Sequence, residues 1–540
     1  MSSLAFWRQC ADEVVDRFLP GRKRLRELRS GWGRPGNGDG GFHASWYFDR
    51  TRGEAAHVDD RTWGDLEFPR IFAGFDATLT PIGRQVLFRQ LRTYACSADE
   101  PARRYALCAR LRTEQVLREW IQHRLLALKD ETHANIADFV FGVEPEPPTH
   151  RWLLASWGLA SIAVLAATIA WAWPIWIWLG MLAANAVIAY RATWRIFRNT
   201  ATLKSCVRML RVADGLGRLR DAGLPPLERL AGQAPQRAQA RRALRWMSLL
   251  QQPGLEDLGL PLWLTLLFLA EPIAYAFSIG RFARIRPVLA STFELVGELD
   301  AAIATASYLE RYPAHCQPAI ADRPLLRMVD GYHPLIPHPV RNSVELDGRS
   351  LLVTGSNMAG KTTFIKMVAI NFILGRTLGF CLAAVATLSP GRVMTSIRGE
   401  HSVESGKSHY FAEVEAVRSF IAAAEQGGCP LFVIDELFRG TNTRERVALA
   451  RAVLEHLARH ALVLVTTHDV ELQPVLAEYY ELCHFRESPD VDGFFDYRLR
   501  PGASRERNAI RVLARMDFPA RIVAAAMDYS AQERDREGGA

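Results

Sequence analysis

The chain has 540 residues, 49% of them hydrophobic, and a formal net charge of +8 at pH 7. This length and composition are typical of three or four domains with buried cores. Only six of the 66 basic residues are lysines, so the charge reflects an arginine-rich composition and is weak evidence for nucleic-acid binding. The eight cysteines are scattered without a CxxC pair, which argues against a zinc site or a disulfide framework and favours a reducing cytosol.

The N-terminal segment, residues 1–48, is expected to form a helix followed by a linker. Its first 30 residues carry acidic side chains where a secretory signal peptide would need an apolar core. A basic run from Arg22 to Arg29 could contact lipid headgroups or nucleic acid, although a solvated helix face is the favoured interpretation. The glycine-rich linker GWGRPGNGDGG separates this helix from residues 49–150, where apolar residues recur at helical spacing.

Residues 151–197 are predicted to form a transmembrane helical hairpin. No charged residue occurs from Trp152 to Tyr190, and residues 153–170 would give about 27 Å of helix, close to the ~30 Å hydrocarbon core of a bilayer. Pro174 interrupts the pattern beside four tryptophans, as expected where a hairpin turns at the far interface. Arginines flank both ends, which places both in the cytoplasm and makes residues 153–190 the membrane anchor. The alternative is a buried hairpin of a soluble protein.

A second apolar stretch, Leu258 to Gly280, interrupts the helical residues 198–322. It contains Glu271 and Pro272 near its middle. A single further crossing would place the rest of the chain outside the cell. The stretch is therefore interpreted as a re-entrant pair, an interfacial element or a core helix, and the last two are favoured.

From about residue 323 short β-branched runs alternate with helices, which predicts an α/β domain with a largely parallel sheet. The sequence GSNMAGKT fits the phosphate-loop pattern G-x-x-x-x-G-K-[ST] between an apolar strand and a helix. Lys361 is expected to neutralise the β- and γ-phosphates of ATP, and Thr362 to ligate Mg²⁺. The predicted nucleotide contacts of this loop are Gly355, Ser356, Asn357, Met358, Ala359, Gly360, Lys361, Thr362 and Thr363.

Two later apolar strands end in polar side chains. After PLFVI, Asp435 is expected to hold Mg²⁺ through water, and Glu436 to orient and deprotonate the attacking water. After ALVLVTT, His468 is expected within reach of the γ-phosphate or of that water. Ligands of open α/β sheets bind at the carboxyl ends of the strands. The sequence therefore predicts a Mg²⁺-dependent ATPase with Glu436, His468 and Lys361 as its catalytic residues.

Four segments, TGSNMAGKTTFIK, SGKSHYFAEV, VIDELFRGTNT and TTHDVEL, occur in the order and spacing of the MutS family of DNA mismatch repair ATPases. The resemblance covers roughly Asp330 to Met527. It implies an α/β P-loop NTPase of the ABC type, residues 323–535, that dimerises and shares its sites between subunits. The segment ESGKS resembles the family's signature loop, so Ser405, Gly406 and Ser408 are expected to reach the nucleotide of the partner subunit.

The resemblance extends more weakly to DDRTWGDLEFPRIFAGFDATLTPIGRQVLFRQL, which is similar to the start of the family's helical lever domain, where a Thr-Pro-x-Gly turn opens a helix. It implies an all-α lever, residues 49–150 and 198–322, that is interrupted by the hairpin. The family's mismatch-reading domain has no room before this lever, and the hairpin takes the place of the DNA clamp. Ser356 stands where the family usually has proline, and His409-Tyr410 where it usually has Thr-Phe.

Two functions remain open at this point. The first is a membrane-anchored MutS-like ATPase with a role in duplex DNA binding or mismatch repair, supported by the basic faces at Arg22 to Arg29 and Arg237 to Arg245. The second is an ATP-driven membrane switch or assembly factor that has lost DNA binding. A transporter is a weaker idea, because the hairpin carries no charged residue. A homodimer at the inner (cytoplasmic) membrane, with lever and ATPase domains in the cytoplasm, is expected in either case.

Overall fold

The structure is a computed structural model of the chain. It describes residues 20–36, 44–53, 56–129, 135–145, 150–250, 259–355, 359–397, 409–428, 430–438, 441–486, 495–503 and 518–537. The described residues divide into two compact units. The helical unit is drawn from Met1–Ala55, Phe72–Arg92 and Ala106–Arg311, and the α/β unit from Ala56–Ile71, Thr93–Tyr105 and Tyr312–Ala540.

Helices are the main elements of the described residues up to Glu310, as the apolar periodicity predicted. In chain order these are α1 (Pro20–Gly31), α2 (Trp46–Thr51), α3 (Asp60–Asp65), α4 (Phe68–Phe75), α5 (Pro81–Arg92), α6 (Asp99–Thr113), α7 (Gln115–Leu125), α8 (Ile136–Phe141), α9 (Arg151–Ala170), α10 (Ile175–Gly217), α11 (Pro225–Gly232), α12 (Ala234–Ala243), α13 (Arg245–Leu250), α14 (Leu260–Phe268), α15 (Ala270–Ile279) and α16 (Phe282–Glu310). Short 3₁₀ turns follow α7 at Leu126–Leu128 and α10 at Arg220–Ala222. Helix α16 is the central element of the helical unit, since it packs against α5, α10, α11 and α12.

A buried carboxylate on α16 holds the start of α5. Asp300 accepts hydrogen bonds from the backbone N–H of Leu79 at 3.0 Å, and from the N–H and hydroxyl of Thr80 at 2.8 and 2.7 Å. Thr80 in turn caps α5, because its hydroxyl oxygen accepts from the N–H of Gly83 at 2.9 Å. A Cβ at Gly83 would collide with the Asp300 carboxylate. The predicted Thr-Pro-x-Gly helix start is therefore confirmed, and the approach of α16 explains its glycine.

Four apolar segments pack together within the helical unit: α9, the beginning of α10, α14 and α15. By length and composition α9 could cross a membrane, and most of it is exposed; α14 and α15 pass the same test only when taken together. The predicted second hairpin helix, Ile175 to Tyr190, is the first part of α10, a helix of 43 residues that continues into the core of the unit. No helix end therefore separates the expected hairpin from the residues that follow it.

The stretch Leu258 to Gly280 is not one helix. Helices α14 and α15 meet at 87°, and Leu269 between them has a left-handed φ of +58°. Pro272 has no N–H with which to continue the i→i−4 ladder, which explains an interruption just before it. Asn185 on α10 donates a hydrogen bond of 2.7 Å to the carbonyl oxygen of Leu267 at this break. The stretch is therefore two helices rather than one, and its interpretations as a core, interfacial or re-entrant element stay predictions.

The α/β unit contains two sheets. Its strands are β1 (Ala319–Ile320), β2 (Leu325–Gly331), β3 (Asn342–Asp347), β4 (Ser350–Thr354), β5 (Val385–Leu388), β6 (Val393–Ser396), β7 (Leu431–Asp435), β8 (Leu462–Thr466), β9 (Tyr480–His484) and β10 (Arg500–Pro501). The six-stranded sheet has the order β10-β9-β4-β8-β7-β6 and is parallel except for β10. The four-stranded sheet has the order β1-β5-β2-β3. The α/β domain with a largely parallel sheet is confirmed.

Among the described residues of this unit, four helices lie between these strands along the chain and a fifth follows the last strand. They are α17 (Lys361–Thr377), α18 (His409–Glu425), α19 (Thr443–Ala458), α20 (Leu472–Leu476) and α21 (Ala520–Glu537). All residues of β4 and β8 are buried, in keeping with their uninterrupted apolar and β-branched sequences. The core between sheet and helices includes Phe420 on α18, Phe432 on β7 and Leu454 on α19.

Two segments from the expected lever, residues 56–71 and 93–105, belong to the α/β unit. His57 and Thr93 form a β-bridge between them. The hydroxyl oxygen of Tyr94 accepts a 3.0 Å hydrogen bond from the N–H of Val393 at the start of β6. The division into units thus differs from the boundaries 49–150 and 323–535 expected from the sequence, because these short segments pair with the sheet domain rather than with neighbouring helices.

Candidate nucleotide site

The strand order brings three polar strand ends together. Strand β8 lies between β4 and β7, and the three run in parallel. The phosphate loop follows β4, Asp435 is the last residue of β7, and His468 lies two residues beyond β8. Because the carboxyl ends of parallel strands meet at one edge, these segments converge there.

Lys361 is the first residue of α17 and only 1% exposed. Its Nζ donates a 2.6 Å hydrogen bond to the carbonyl oxygen of Gly355, and it lies 3.1 Å from Nε2 of His468. A buried ammonium beside the positive end of a helix dipole is unfavourable unless an anion is bound close by. The position therefore suits a phosphate group.

Two glycines frame the phosphate loop, with φ of +132° at Gly355 and +98° at Gly360. Other residues rarely adopt either conformation. A Cβ at Gly355 would also lie 2.5 Å from the carbonyl oxygen of Phe485, just after β9. The backbone conformation and this close approach explain both glycines of the motif.

Oxygen atoms from three elements, α17, β7 and β8, meet at the Asp435 carboxylate. The hydroxyl of Thr362 donates a 2.9 Å hydrogen bond to Oδ2 of Asp435. The hydroxyl of Thr466, at the end of β8, donates to Oδ1 of the same carboxylate. Hydroxyl and carboxylate oxygens are the ligands that Mg²⁺ prefers, usually with several waters retained. The donor set of Thr362 and Asp435 therefore fits a magnesium ion.

Glu436 and His468 form the second pair of the site. Oε1 of Glu436 lies 2.8 Å from Nε2 of His468, with the carboxylate side chain 8% exposed and the imidazole side chain 38% exposed. The N–H of Glu436 donates to the carbonyl oxygen of Thr466 at 3.1 Å, so the ladder with β8 extends one residue past β7. Its φ of +58° is left-handed, a strained conformation for a residue other than glycine, and such strain is concentrated at functional sites.

The remaining predicted site residues divide into described and undescribed ones. Ala359 is buried, and Thr363 is exposed on the first turn of α17. Six lie outside the described residues: Ser356, Asn357, Met358, Ser405, Gly406 and Ser408. The structure thus brings Lys361, Thr362, Asp435, Glu436 and His468 together, and the roles assigned to them stay predictions.

Two acidic residues that the sequence analysis did not assign contact this region of the α/β unit. Oδ2 of buried Asp65 accepts hydrogen bonds from the hydroxyl of Thr395 at 2.7 Å and the N–H of Ile397 at 2.8 Å. Burial raises the pKa of Asp65. Glu67 pairs with Lys366 on α17 at 3.0 Å, and this hydrogen bond lowers the pKa of Glu67. Both acids lie within the segment DDRTWGDLEFPR. The helical periodicity of this segment does not indicate that they contact β6 and α17.

This geometry defines the class of the unit: an α/β domain with a phosphate-loop motif, an acidic pair and a histidine at the carboxyl edge of a parallel sheet. Residues 351–533 match the family profile described as MutS domain V. Over these residues the chain therefore carries a domain of the MutS kind.

Individual relatives agree with the profile. The chain is 31% identical over 273 residues to the DNA mismatch repair protein MutS of Natronomonas pharaonis, an alignment that covers 47% of this chain and 31% of the relative. It is 30% identical over 252 residues to MutS of Thermus aquaticus, covering 46% and 30% respectively. For MutS of Chloroflexus aurantiacus the identity is 29% over 266 residues, covering 46% and 27%. The chain spans about a third of the length of these relatives.

Proposed function

We propose that this protein is a membrane-anchored, Mg²⁺-dependent ATPase of the MutS kind. The observation that carries the ATPase assignment is the convergence of Lys361, Thr362, Asp435, Glu436 and His468 at the ends of β4, β7 and β8. A buried cation, a pair of hard oxygen ligands and a carboxylate supported by an imidazole supply the groups that phosphoryl transfer to water needs.

The residues act in distinct ways in this proposal. Lys361 exchanges its bond to the Gly355 carbonyl for the β- and γ-phosphate oxygens of ATP, whose negative charge it neutralises. Thr362 and Asp435 hold Mg²⁺, which when bound offsets charge on the same phosphates. Glu436 orients the attacking water and accepts its proton as the γ-phosphate bond breaks. His468 positions the Glu436 carboxylate through the 2.8 Å contact between them.

The test of the base is Glu436→Gln in the full chain, purified in neutral detergent. Nucleotide affinity is expected to stay within about threefold of wild type, because the amide keeps the size of the side chain. Hydrolysis is expected to fall by about 10²- to 10⁴-fold. The matched control is Glu455→Gln on α19, whose carboxylate pairs with Arg451 rather than with the site. Hydrolysis by Glu436→Gln within threefold of wild type would show that another group is the base.

A homodimer is proposed through the α/β units, with Ser405, Gly406 and Ser408 reaching the nucleotide of the partner subunit. The resemblance of ESGKS to the family's signature loop supports this arrangement. ATP should therefore stabilise the dimer of the Glu436→Gln protein, which traps the nucleotide. Sedimentation velocity with and without ATP measures the change, and a monomer at saturating ATP contradicts the proposal.

Membrane anchoring is proposed through residues 153–190, with both ends in the cytoplasm. Its support is the length of α9 together with the exposed apolar side chains of the bundle, among them Trp152, Trp176 and Leu262. Helices α14 and α15 accompany the anchor as a re-entrant pair, because Asn185 hydrogen-bonds the carbonyl at their break and backbone at membrane depth needs such a partner. Retention of the protein in alkaline-washed membranes is the expected result, and release into the supernatant contradicts it.

What the ATPase acts on has two candidate answers, duplex DNA or the membrane itself. The names of the relatives favour DNA, but much of the basic surface cited for it is used internally. Arg237 is 0% exposed and pairs with Asp214, as Arg241 also does. Arg29 pairs with Glu119 at 2.7 Å. Because these arginines already have acidic partners, they are less available to DNA phosphates. This favours the second candidate, the membrane switch.

A salt titration separates the two candidates. Glu436→Gln protein with ATP is mixed with duplex DNA across about 50 to 200 mM salt. Binding that weakens steeply over this range indicates several phosphate contacts and a DNA function. No binding at low salt, with ATP occupancy verified, indicates a motor that works on the membrane or on a protein within it.

A further inference from the structure

A cleft of about 320 Å³ in the helical unit is lined by arginines from α12, α13 and the start of α16. Arg242 and Arg245 come from the end of α12 and the start of α13. Arg281 and Arg284 come from the residue before α16 and from its first turn. The apolar side chain of Ile285 lines the cleft beside them. The cleft thus combines a dense positive charge with an apolar wall.

Within the described part of the chain, these four arginines differ from their neighbours Arg237 and Arg241 in having no acidic partner. Arg237 and Arg241, on the same helix α12, are both paired with Asp214. Among the residues that the structure describes, no carboxylate forms an ion pair with any of the four cleft arginines. Arg245 instead lies over the ring of Trp246, 5.0 Å from its centre. Like charges that line one cleft repel each other, and a bound anion removes that repulsion.

The cleft lies beside the C-terminal end of the apolar helix α15, which packs against the N-terminal end of the apolar helix α9. Arg281 follows α15 by two residues, and the ring of Phe277 near the end of α15 packs 5.1 Å from the ring of Trp152 in the first turn of α9. The Arg151 guanidinium lies beside Gly280 at the same level. Trp246, 46% exposed, directly follows the cleft residue Arg245. Arginine and tryptophan at the ends of apolar helices are typical of the membrane–water interface.

We propose that this cleft binds the phosphate of an anionic phospholipid headgroup in the cytoplasmic leaflet. The guanidinium groups match phosphate oxygens in bidentate geometry, and they are more weakly hydrated than ammonium groups. The apolar wall at Ile285 suits the glycerol and first acyl carbons. Basic pockets beside membrane helices on the cytoplasmic side are a known form of lipid recognition. The proposal rests on the membrane insertion of α9 proposed above.

The test uses the full chain in neutral detergent, titrated with phosphatidylglycerol or with phosphatidylcholine, and counts the lipids retained by native mass spectrometry. Wild type is expected to retain phosphatidylglycerol in preference to phosphatidylcholine. The triple variant Arg245→Gln, Arg281→Gln, Arg284→Gln is expected to bind it about tenfold or more weakly. The matched control is Arg220→Gln, an exposed arginine in a 3₁₀ turn away from the cleft. Equal retention of the two lipids by wild type, or an unchanged triple variant, overturns the proposal.

Two competitors identify the source of the phosphate. Inorganic phosphate at millimolar concentration should not displace the lipid; displacement would assign the cleft to a soluble anion. If duplex DNA displaces the lipid, and the triple variant no longer binds that DNA, the cleft is a nucleic-acid site. Alkaline washing of membranes tests the proposed membrane insertion separately. Release of the protein contradicts the membrane anchor itself. Retention of the protein without a preference for phosphatidylglycerol contradicts only the lipid-binding proposal.

Discussion

Nε2 of His468 lies 2.8 Å from Oε1 of Glu436, so the side chains that follow the neighbouring strands β8 and β7 form one pair. Removing either partner should disturb the same water, and the two effects should not multiply. We expect Glu436→Gln to slow single-turnover hydrolysis more than His468→Ala does, and the double variant to lie within about threefold of Glu436→Gln. Four rate measurements, on wild type, both single variants and the double, complete the cycle. If the fold reductions in rate of the two single variants multiply in the double variant, His468 acts on the phosphate and independently of Glu436.

Thr362→Val should separate metal binding from nucleotide binding. The variant loses the hydroxyl that contacts Oδ2 of Asp435 at 2.9 Å. ATP affinity should therefore fall about tenfold or more with Mg²⁺ present and change little in EDTA. Thr363→Val, one residue further along, is the control variant. Any loss of ATP affinity in this variant should be the same with and without Mg²⁺. Equal losses in both conditions for Thr362→Val would remove Thr362 from the metal site.

The Asp300 carboxylate predicts a pH dependence of local stability in the helical unit. Burial raises its pKa from the usual 3.8 to about 6, so the folded state keeps a proton that the unfolded state releases in this interval. The free energy of unfolding around α5 should therefore fall as pH rises from about 4 to 6, by up to about 3 kcal/mol, and stay level above that.

Hydrogen exchange of the peptide that covers residues 79–92, corrected for intrinsic rates, measures this slope. Asp300→Asn should remove the slope and also lower protection at every pH, because its amide can accept only part of the three hydrogen bonds from Leu79 and Thr80. The exposed Asp221→Asn serves as control and should keep the slope. Protection that rises with pH in wild type would mean that the ionised carboxylate is the favoured form.

Asn185 is predicted to stabilise the apolar bundle. It donates to the carbonyl oxygen of Leu267 at 2.7 Å and accepts from the indole N–H of Trp157 at 2.8 Å. Asn185→Leu leaves both groups without this partner, at a cost of about 1–2 kcal/mol. The midpoint of thermal unfolding in detergent should fall by several degrees. Val187→Leu, at an exposed position two residues along the same helix, should leave it unchanged.

The residues that meet at the candidate site could be predicted because their motifs are encoded locally, whereas the roles assigned to them stay predictions. Glu436 directly follows an apolar strand, and the phosphate loop has a fixed spacing of glycine, lysine and threonine. The strand order could not be predicted: nothing in ALVLVTT indicates that β8 lies between β4 and β7. For this reason the contact between Thr466 and Asp435 was not foreseen.

The helical part of the chain shows a second limit of prediction from sequence. Apolar periodicity identified helices but not their partners, so Asp65 and Glu67 were assigned to a lever although they contact β6 and α17. Pro272 indicated an interruption of the second apolar stretch, but the bend of 87° at Leu269 depends on the surrounding helices. The carbonyl of Leu267 is satisfied by Asn185, more than 80 residues earlier, and no local pattern encodes such a pair.

Helix α10 has a mechanical consequence. Its 43 residues, about 64 Å long, join the apolar segment at Ile175 to the buried side chains near Leu216 without a break. A passive tether would need a joint, as a glycine-rich linker provides, whereas a continuous helix behaves as a stiff rod. A tilt of about 10° at the buried end would move the other end by about 11 Å. Small rotations of α10 near Leu216 would therefore become large displacements of its apolar end at Ile175, the part of the helix that belongs to the proposed membrane anchor.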